Sequence, residues 1–245
     1  MSQEKQQKSD KLNEYLKDYI LLKETKEHPD LIIAKNRLTY NKKVEQVSKK
    51  LNLDLQNNLE DYIVNINWNE SHNLLKELNS FMLNPKLFAE FLKLLKSGNA
   101  FDGNKDKVNS NELEKILNGI IELRNPCRAE WLDHKYFKSS NKLQVTYHKF
   151  DSSGKLIEFT EKLDPDTLLK YILSEIILED WINNTTSQGL PKSNVQKGDL
   201  YYWRPREGRV AGFDANAGRA DLDCVGDPDN SGGDLGVREV KIFKK

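Results

Sequence analysis

The stretch from Gly208 to Arg238 carries an alternation that suits extended chain. Phe213, Ala215 and Ala217 fall on one face of a strand, which leaves Asp214 and Asn216 on the other. After Gly218-Arg219 the parity resets, so that Ala220, Leu222 and Cys224 point inward while Asp221 and Asp223 point outward. A two-residue turn at Gly218-Arg219 pairs these strands and collects Asp214, Asn216, Asp221 and Asp223 on one surface. The inner face is small and plain; the outer face is polar.

The same stretch contains no Lys, Glu, Gln, Met or Trp, although those five types make up about a quarter of the chain. Seven of the thirteen glycines and five of the eight arginines lie after Leu200, against three of the thirty lysines. The codon table accounts for the gap, because codons ending in a pyrimidine specify every amino acid except those five.

At 245 residues the chain is long enough for two ordinary domains. Net charge is zero, so no global field draws the protein to nucleic acid or to an anionic membrane, and nucleic acid is not an expected partner. No apolar run approaches the roughly 18 residues that span a bilayer. The opening Met1-Ser2-Gln3-Glu4-Lys5 lacks a signal peptide's apolar core. The expected location is therefore the cytoplasm, with virion or cell-surface attachment left open. Cys127 and Cys224 match neither a disulfide framework nor a zinc-site spacing and read as small core residues.

Residues 1–122 are rich in Lys, Glu, Asn and Leu at helical spacing. Leu12, Tyr15, Leu16, Tyr19 and Ile20 form one stripe, Leu74, Leu75 and Leu78 another, and Leu87, Phe88, Phe91, Leu92 and Leu95 a third. Pro29 and Pro85 sit where helices could begin, and Ser110 is placed to cap a helix carrying Leu113, Ile116, Leu117 and Ile120. His28 and His72 stand without neighbouring metal ligands or catalytic partners in sequence, so no metal and no cofactor are expected. From Asn125 the character changes. Leu143, Val145 and Tyr147 alternate, Asp151-Ser152-Ser153-Gly154 is turn chemistry, and Leu156–Phe159 resumes the strand. Asp164-Pro165 is read as the start of a helix with Leu168, Leu169, Ile172, Ile176 and Trp181 on one stripe, and Tyr201-Tyr202-Trp203 as a core strand edge.

Two chemical readings of the C-terminal aspartates compete with a solvated or ligand-binding surface. Asp227, Asp229, Ser231 and Gly232 fit positions 1, 3, 5 and 6 of a calcium loop, but Arg238 stands where position 12 needs Glu. Paired carboxylates could instead serve a hydrolase, although exposed hairpin aspartates lack the burial that tunes catalytic pKa values.

Glu130-Trp131-Leu132-Asp133, the Lys142 to Leu163 hairpin, Ser187-Gln188-Gly189-Leu190-Pro191, Tyr202-Trp203-Arg204-Pro205, Arg209-Val210-Ala211-Gly212-Phe213 and Leu235-Gly236-Val237-Arg238 occur in this order. Together they resemble the variable proteins of diversity-generating retroelements, over about residues 125–245. In that family an error-prone reverse transcriptase randomises adenines of a template, commonly in codons whose products all end in a pyrimidine, and the copy replaces the 3′ part of the gene. The resemblance implies a C-type-lectin-like mixed domain of short strands and hairpins (123–245); with the helical N-terminal half (1–122) read from its apolar spacing, the expected fold class is α+β. The variable region would be about 208–238.

On this reading the diversified ligand-binding positions are Asp214, Asn216, Gly218, Arg219, Asp221 and Asp223 on the hairpin. Beyond it they are Val225, Gly226, Asp227, Asp229, Asn230, Gly232, Gly233 and Asp234. The fixed frame is Phe213, Ala215, Ala217, Ala220, Leu222, Cys224, Pro228, Leu235 and Val237. The expected function is binding of a protein or other macromolecular ligand through a hypervariable surface, without catalysis, and with self-association through the helical half as a further expectation. The alternative is a calcium-binding or hydrolytic module built on the C-terminal aspartate cluster. The family fold also serves formylglycine-generating oxidases, which need a cysteine pair near the C-terminal end, where this chain has Cys224 alone.

Overall fold

The computed structural model describes residues 3–58 and 62–243. In chain order its elements are α1 (Gln3–Lys17), β1 (Tyr19–Leu22), β2 (Leu31–Ala34), α2 (Lys42–Leu51), β3 (Gln56–Asn57), β4 (Ile63–Val64), α3 (Trp68–Glu77), α4 (Pro85–Lys96), β5 (Phe101–Asp102) and α5 (Ser110–Ile121). There follow β6 (Arg128–Ser139), β7 (Lys142–Phe150), β8 (Leu156–Lys162), β9 (Leu173–Ile176), α6 (Leu178–Asn183), β10 (Leu200–Trp203), β11 (Val210–Ala215), β12 (Ala220–Gly226), β13 (Leu235–Gly236) and β14 (Val240–Ile242).

Asparagine opens four of the helices. Asn41, Asn67, Asn84 and Asn109 each accept backbone N–H groups of the first turn, at about 1 kcal/mol per cap. Asn67 and Glu70 complete a capping box on α3, and Pro85 occupies the first turn of α4, where its missing N–H costs nothing. The apolar stripes of α3 and α4 are buried throughout, as are Leu113, Ile116 and Ile120 of α5.

Two sheets carry the fold. The small one has the order β14-β2-β1-β5, so the strand at the C-terminal end pairs with one near the start, with Val240 opposite Ile33. The large sheet runs β8-β7-β6-β11-β12-β10-β9, with β13 beside β6; it is mixed, because β10–β12 and β13–β6 are parallel. One of its faces packs on α4 and α5, where Phe88 of α4 meets Phe213 of β11 at 5.2 Å between ring centres. The opposite face near β6 is covered by a second cluster in which Trp68, Leu74, Leu75 and Leu78 of α3 meet Ala129, Trp131, Val210, Leu235 and Val237. The main core draws on the whole chain, from Ile20 and Ile33 to Leu222 and Val240. No helix among the described residues is long and apolar enough to cross a membrane.

The expected fold class, a helical N-terminal half followed by a C-type-lectin-like mixed domain, is overturned. Helices make up 26% and strands 33% of the structure, and the two interleave from β1 onward. The helical stripe drawn through Leu12 to Ile20 breaks at Asp18: Leu12 and Tyr15 are exposed, while Tyr19–Leu22 form a strand buried along its length. Pro29 precedes β2 and not a helix. The stripe drawn from Leu168 to Trp181 is likewise two elements, β9 and α6. Asp164 opens no helix; its carboxylate instead accepts from the N–H of Asp166 and from Ser187 across the loop.

Candidate functional site

β11 and β12 form the antiparallel hairpin that the parity requires, with Phe213 opposite Leu222, Asp214 opposite Asp221 and Ala215 opposite Ala220. The turn falls one residue earlier than expected. Asn216 N donates to Arg219 O at 2.8 Å, and Asn216 Oδ1 accepts from the backbone N–H groups of Gly218 (2.9 Å) and Arg219 (3.1 Å). An asparagine that satisfies its own turn in this way fixes where the chain reverses. Ala217 and Gly218 take the tip, so Ala217, expected in the inner frame, is exposed. The rest of the inner row, Phe213, Ala215, Ala220, Leu222 and Cys224, is buried, as are Leu235 and Val237.

On the other face the neighbouring β10 sets Tyr201 beside Asp221 and Trp203 beside Asp223. Tyr202, between them, is buried in the core, and β10 is an inner strand rather than an edge. Arg219 Nε donates to Asp221 Oδ2 at 2.8 Å, and its guanidinium lies 5.7 Å and 5.4 Å from the ring centres of Tyr201 and Trp203. Asp221, expected to face outward, is therefore only 2% exposed: Arg219 folds back onto it between the aromatic residues of β10.

Crowding three carboxylates on this face sets its electrostatics. Burial, and then the charge of Asp221, push the Asp214 carboxyl well above the usual carboxylate range. Burial also raises Asp221, against the pull of Arg219, and raises Asp223 to about 6. The facing Asp214–Asp221 pair thus resists full ionisation, and Asp214 Oδ1 has no hydrogen-bond partner. Cys127 lies at the rim, where burial and a hydrogen bond to Asp234 push its thiol up to about 12. Beside the hairpin tip a groove of about 500 Å³ is lined by Gly218, Arg219, Tyr201, Glu175, Asp199 and Leu123 among others.

Of the remaining expected positions, Asp227, Asp229, Asn230 and Gly233 are exposed, while Val225, Gly226, Gly232 and Asp234 are half-buried. Asp227 is tied to Arg209 at 2.9 Å, and Arg238 turns inward to Glu130, so residues 227–238 do not gather as a calcium loop would. A side chain on Gly226 would meet the Trp131 ring at 3.0 Å and the Val210 carbonyl at 3.1 Å, which leaves that position little room.

The histidines read as solitary are not. His28 Nε2 lies 3.1 Å from Glu90, and His72 lies beside Asp133 and His148. Ser140 and Asn141, with φ of 50° and 60°, close the β6–β7 hairpin, and beyond its last pair the Asp133 carboxylate accepts the backbone N–H of His148.

No family model, curated protein or solved structure matches the chain.

Proposed function

We propose that the protein is a ligand-binding variable protein of a diversity-generating retroelement, whose contact surface is rewritten by adenine-directed mutagenesis over about residues 208–238. The observation that carries this reading is the division of labour within one hairpin. The inner row supplies the packing, whereas the outer row holds a repulsive, incompletely hydrogen-bonded set of carboxylates that contributes little to folding. Such an arrangement is what substitution without regard to stability leaves on a tolerant frame. It coincides with the segment purged of the five residue types that pyrimidine-ending codons cannot specify.

Binding would proceed by contact complementarity. Arg219, stacked beside Tyr201 and Trp203 at the mouth of the groove, offers a planar cation and aromatic area, the residue chemistry that anchors protein interfaces. The aspartates beyond it favour a partner with exposed Lys or Arg. Of the alternative, a hydrolytic or calcium-binding module, the hydrolytic form is favoured by the Asp214–Asp221 pair, since two carboxylates sharing a proton can act in acid catalysis. Calorimetry with calcium separates the metal version, because a loop of that class binds at or below millimolar concentration.

The deciding experiment is to sequence the DNA around the gene. A reverse transcriptase gene and a near-copy of the codons for Gly208 to Arg238, differing only where the copy has adenine, are expected. If both are absent, the diversification reading is lost.

A further inference from the structure

Away from the hairpin's outer face, three elements bring imidazole, carboxylate and imidazole together. The alternation of β6 turns Asp133 to the same side as Ala129 and Trp131, toward α3. Beyond the last β6–β7 pair, Lys135 with Thr146, the Asp133 carboxylate accepts the backbone N–H of His148, and α3 presents His72 one turn after Trp68. The donor atoms of His72, Asp133 and His148 all lie within 4.8 Å of one another.

Asp133 is 1% exposed and anchored from one side only. Its Oδ2 accepts the backbone N–H of His148 at 2.7 Å and lies 3.0 Å from His148 Nδ1. Its Oδ1 lies 3.2 Å from His72 Nε2, but the two are not aligned as a hydrogen bond, so each is a buried polar atom without a hydrogen-bond partner. Both atoms therefore face each other with unused lone-pair or proton capacity.

We propose that His72, Asp133 and His148 bind a divalent transition-metal ion of the zinc class. Two imidazoles and one carboxylate suit zinc and its first-row neighbours, and not magnesium or calcium, which take oxygen. A tetrahedral ion with ligands at about 2.0–2.2 Å needs them about 3.3–3.6 Å apart, so small side-chain rotations convert the observed spacing into a coordination shell. The side chains of His72 and His148 are 20% and 31% exposed, which leaves an open fourth position for water or an external ligand. Trp68 holds the His72 ring from the side at 4.2 Å between ring centres, and is itself fixed by its Nε1 hydrogen bond to the Leu132 carbonyl. The site clips α3 to the β6–β7 hairpin and is independent of the proposal for the variable surface.

The test uses tag-free full-length protein, stripped with a chelator and titrated with Zn(II) by calorimetry. A parallel titration with Co(II) reads tetrahedral coordination from its visible absorption. One equivalent is expected, with quenching of Trp68 fluorescence by Co(II) that disappears in Trp68→Phe. His72→Ala, at a partly exposed helix position that should leave the fold intact, should weaken Zn(II) binding by more than the roughly 10–100-fold that loss of an outer-shell partner costs. Asp133→Asn, which preserves shape, gives a second reading should His72→Ala fail to fold. Undiminished binding in both His72→Ala and Asp133→Asn would overturn the proposal. So would a preference for Mg(II) or Ca(II), or the absence of Zn(II) binding tighter than millimolar; the three residues would then be a hydrogen-bonded His–Asp–His cluster alone.

Discussion

Arg238 grips Glu130 through two parallel hydrogen bonds, Nε to Oε2 at 2.9 Å and Nη2 to Oε1 at 3.0 Å, and both side chains are buried. Its Nη1 continues to the carbonyl oxygens of Ala34 and Lys35, so one guanidinium joins the start, middle and end of the chain. Burial alone would raise the Glu130 carboxyl, but Arg238, helped by Arg128 and Arg37, more than offsets it and holds Glu130 below the usual range. Replacing Arg238 by Ala strands a buried carboxylate and should cost about 3–5 kcal/mol in urea unfolding, whereas pairing Arg238→Met with Glu130→Leu should recover most of the loss. A single-variant cost under about 1 kcal/mol would contradict the arrangement.

The carboxylate face gives a pH signature. Asp214 and Asp223 have folded-state pKa values above the unfolded value near 3.9, so the folded state binds more protons between pH 4 and the folded values. Their contribution is fully present below about pH 4 and is lost as pH rises, through about 6 for Asp223 and higher for Asp214. Asp214→Asn should therefore stabilise the protein at pH 8 by about 1–3 kcal/mol and change little at pH 4. Equal effects at the two pH values would show that Asp214 is not held protonated.

Inner and outer rows should respond differently to substitution. Leu222→Ala removes a fully buried side chain and should cost about 2–5 kcal/mol. Asp229→Tyr and Asn230→Tyr, at exposed loop positions, should stay within about 0.5 kcal/mol. Thermal unfolding of the three variants side by side checks this, and comparable losses would contradict the separation of frame from contact surface.

Gly189 has φ of +84°, and a Cβ there would sit 2.1 Å from the backbone nitrogen of Lys86 in α4, while its carbonyl accepts Trp181 Nε1 at 2.8 Å. Gly189→Ala should destabilise by about 3 kcal/mol or more, read as a shift of the urea midpoint with an unchanged slope. Tolerance of the alanine would mean that the loop does not approach α4 so closely.

The helices α3, α4 and α5 were legible because long apolar stripes coincide with caps that sequence alone displays. The strands β1 and β2 were not, because four-residue apolar runs such as Tyr19–Leu22 and Leu31–Ala34 carry no period of their own. Ile176 and Trp181 are both buried, as a helical stripe would require, but they reach the core from a strand and a separate helix. At the hairpin, parity revealed the inner row, since side-chain direction in a strand is a local property. The burial of Asp221 was invisible because it depends on β10 arriving in parallel register from elsewhere in the chain. The grouping of His72, Asp133 and His148 was hidden for the same reason: its members come from three elements that only the fold brings together.

The pairing of β14 with β2 gives the chain a reading-frame check. The small sheet is completed only after Val240–Ile242 have been synthesised, downstream of the whole hairpin and its loop. A frameshift or premature stop anywhere from residue 208 onward leaves β2 with an open edge and removes Val240 from the core, and exposed strand edges invite aggregation and disposal. Substitutions between residues 208 and 238 preserve this closure as long as translation reaches Val240–Ile242 in register.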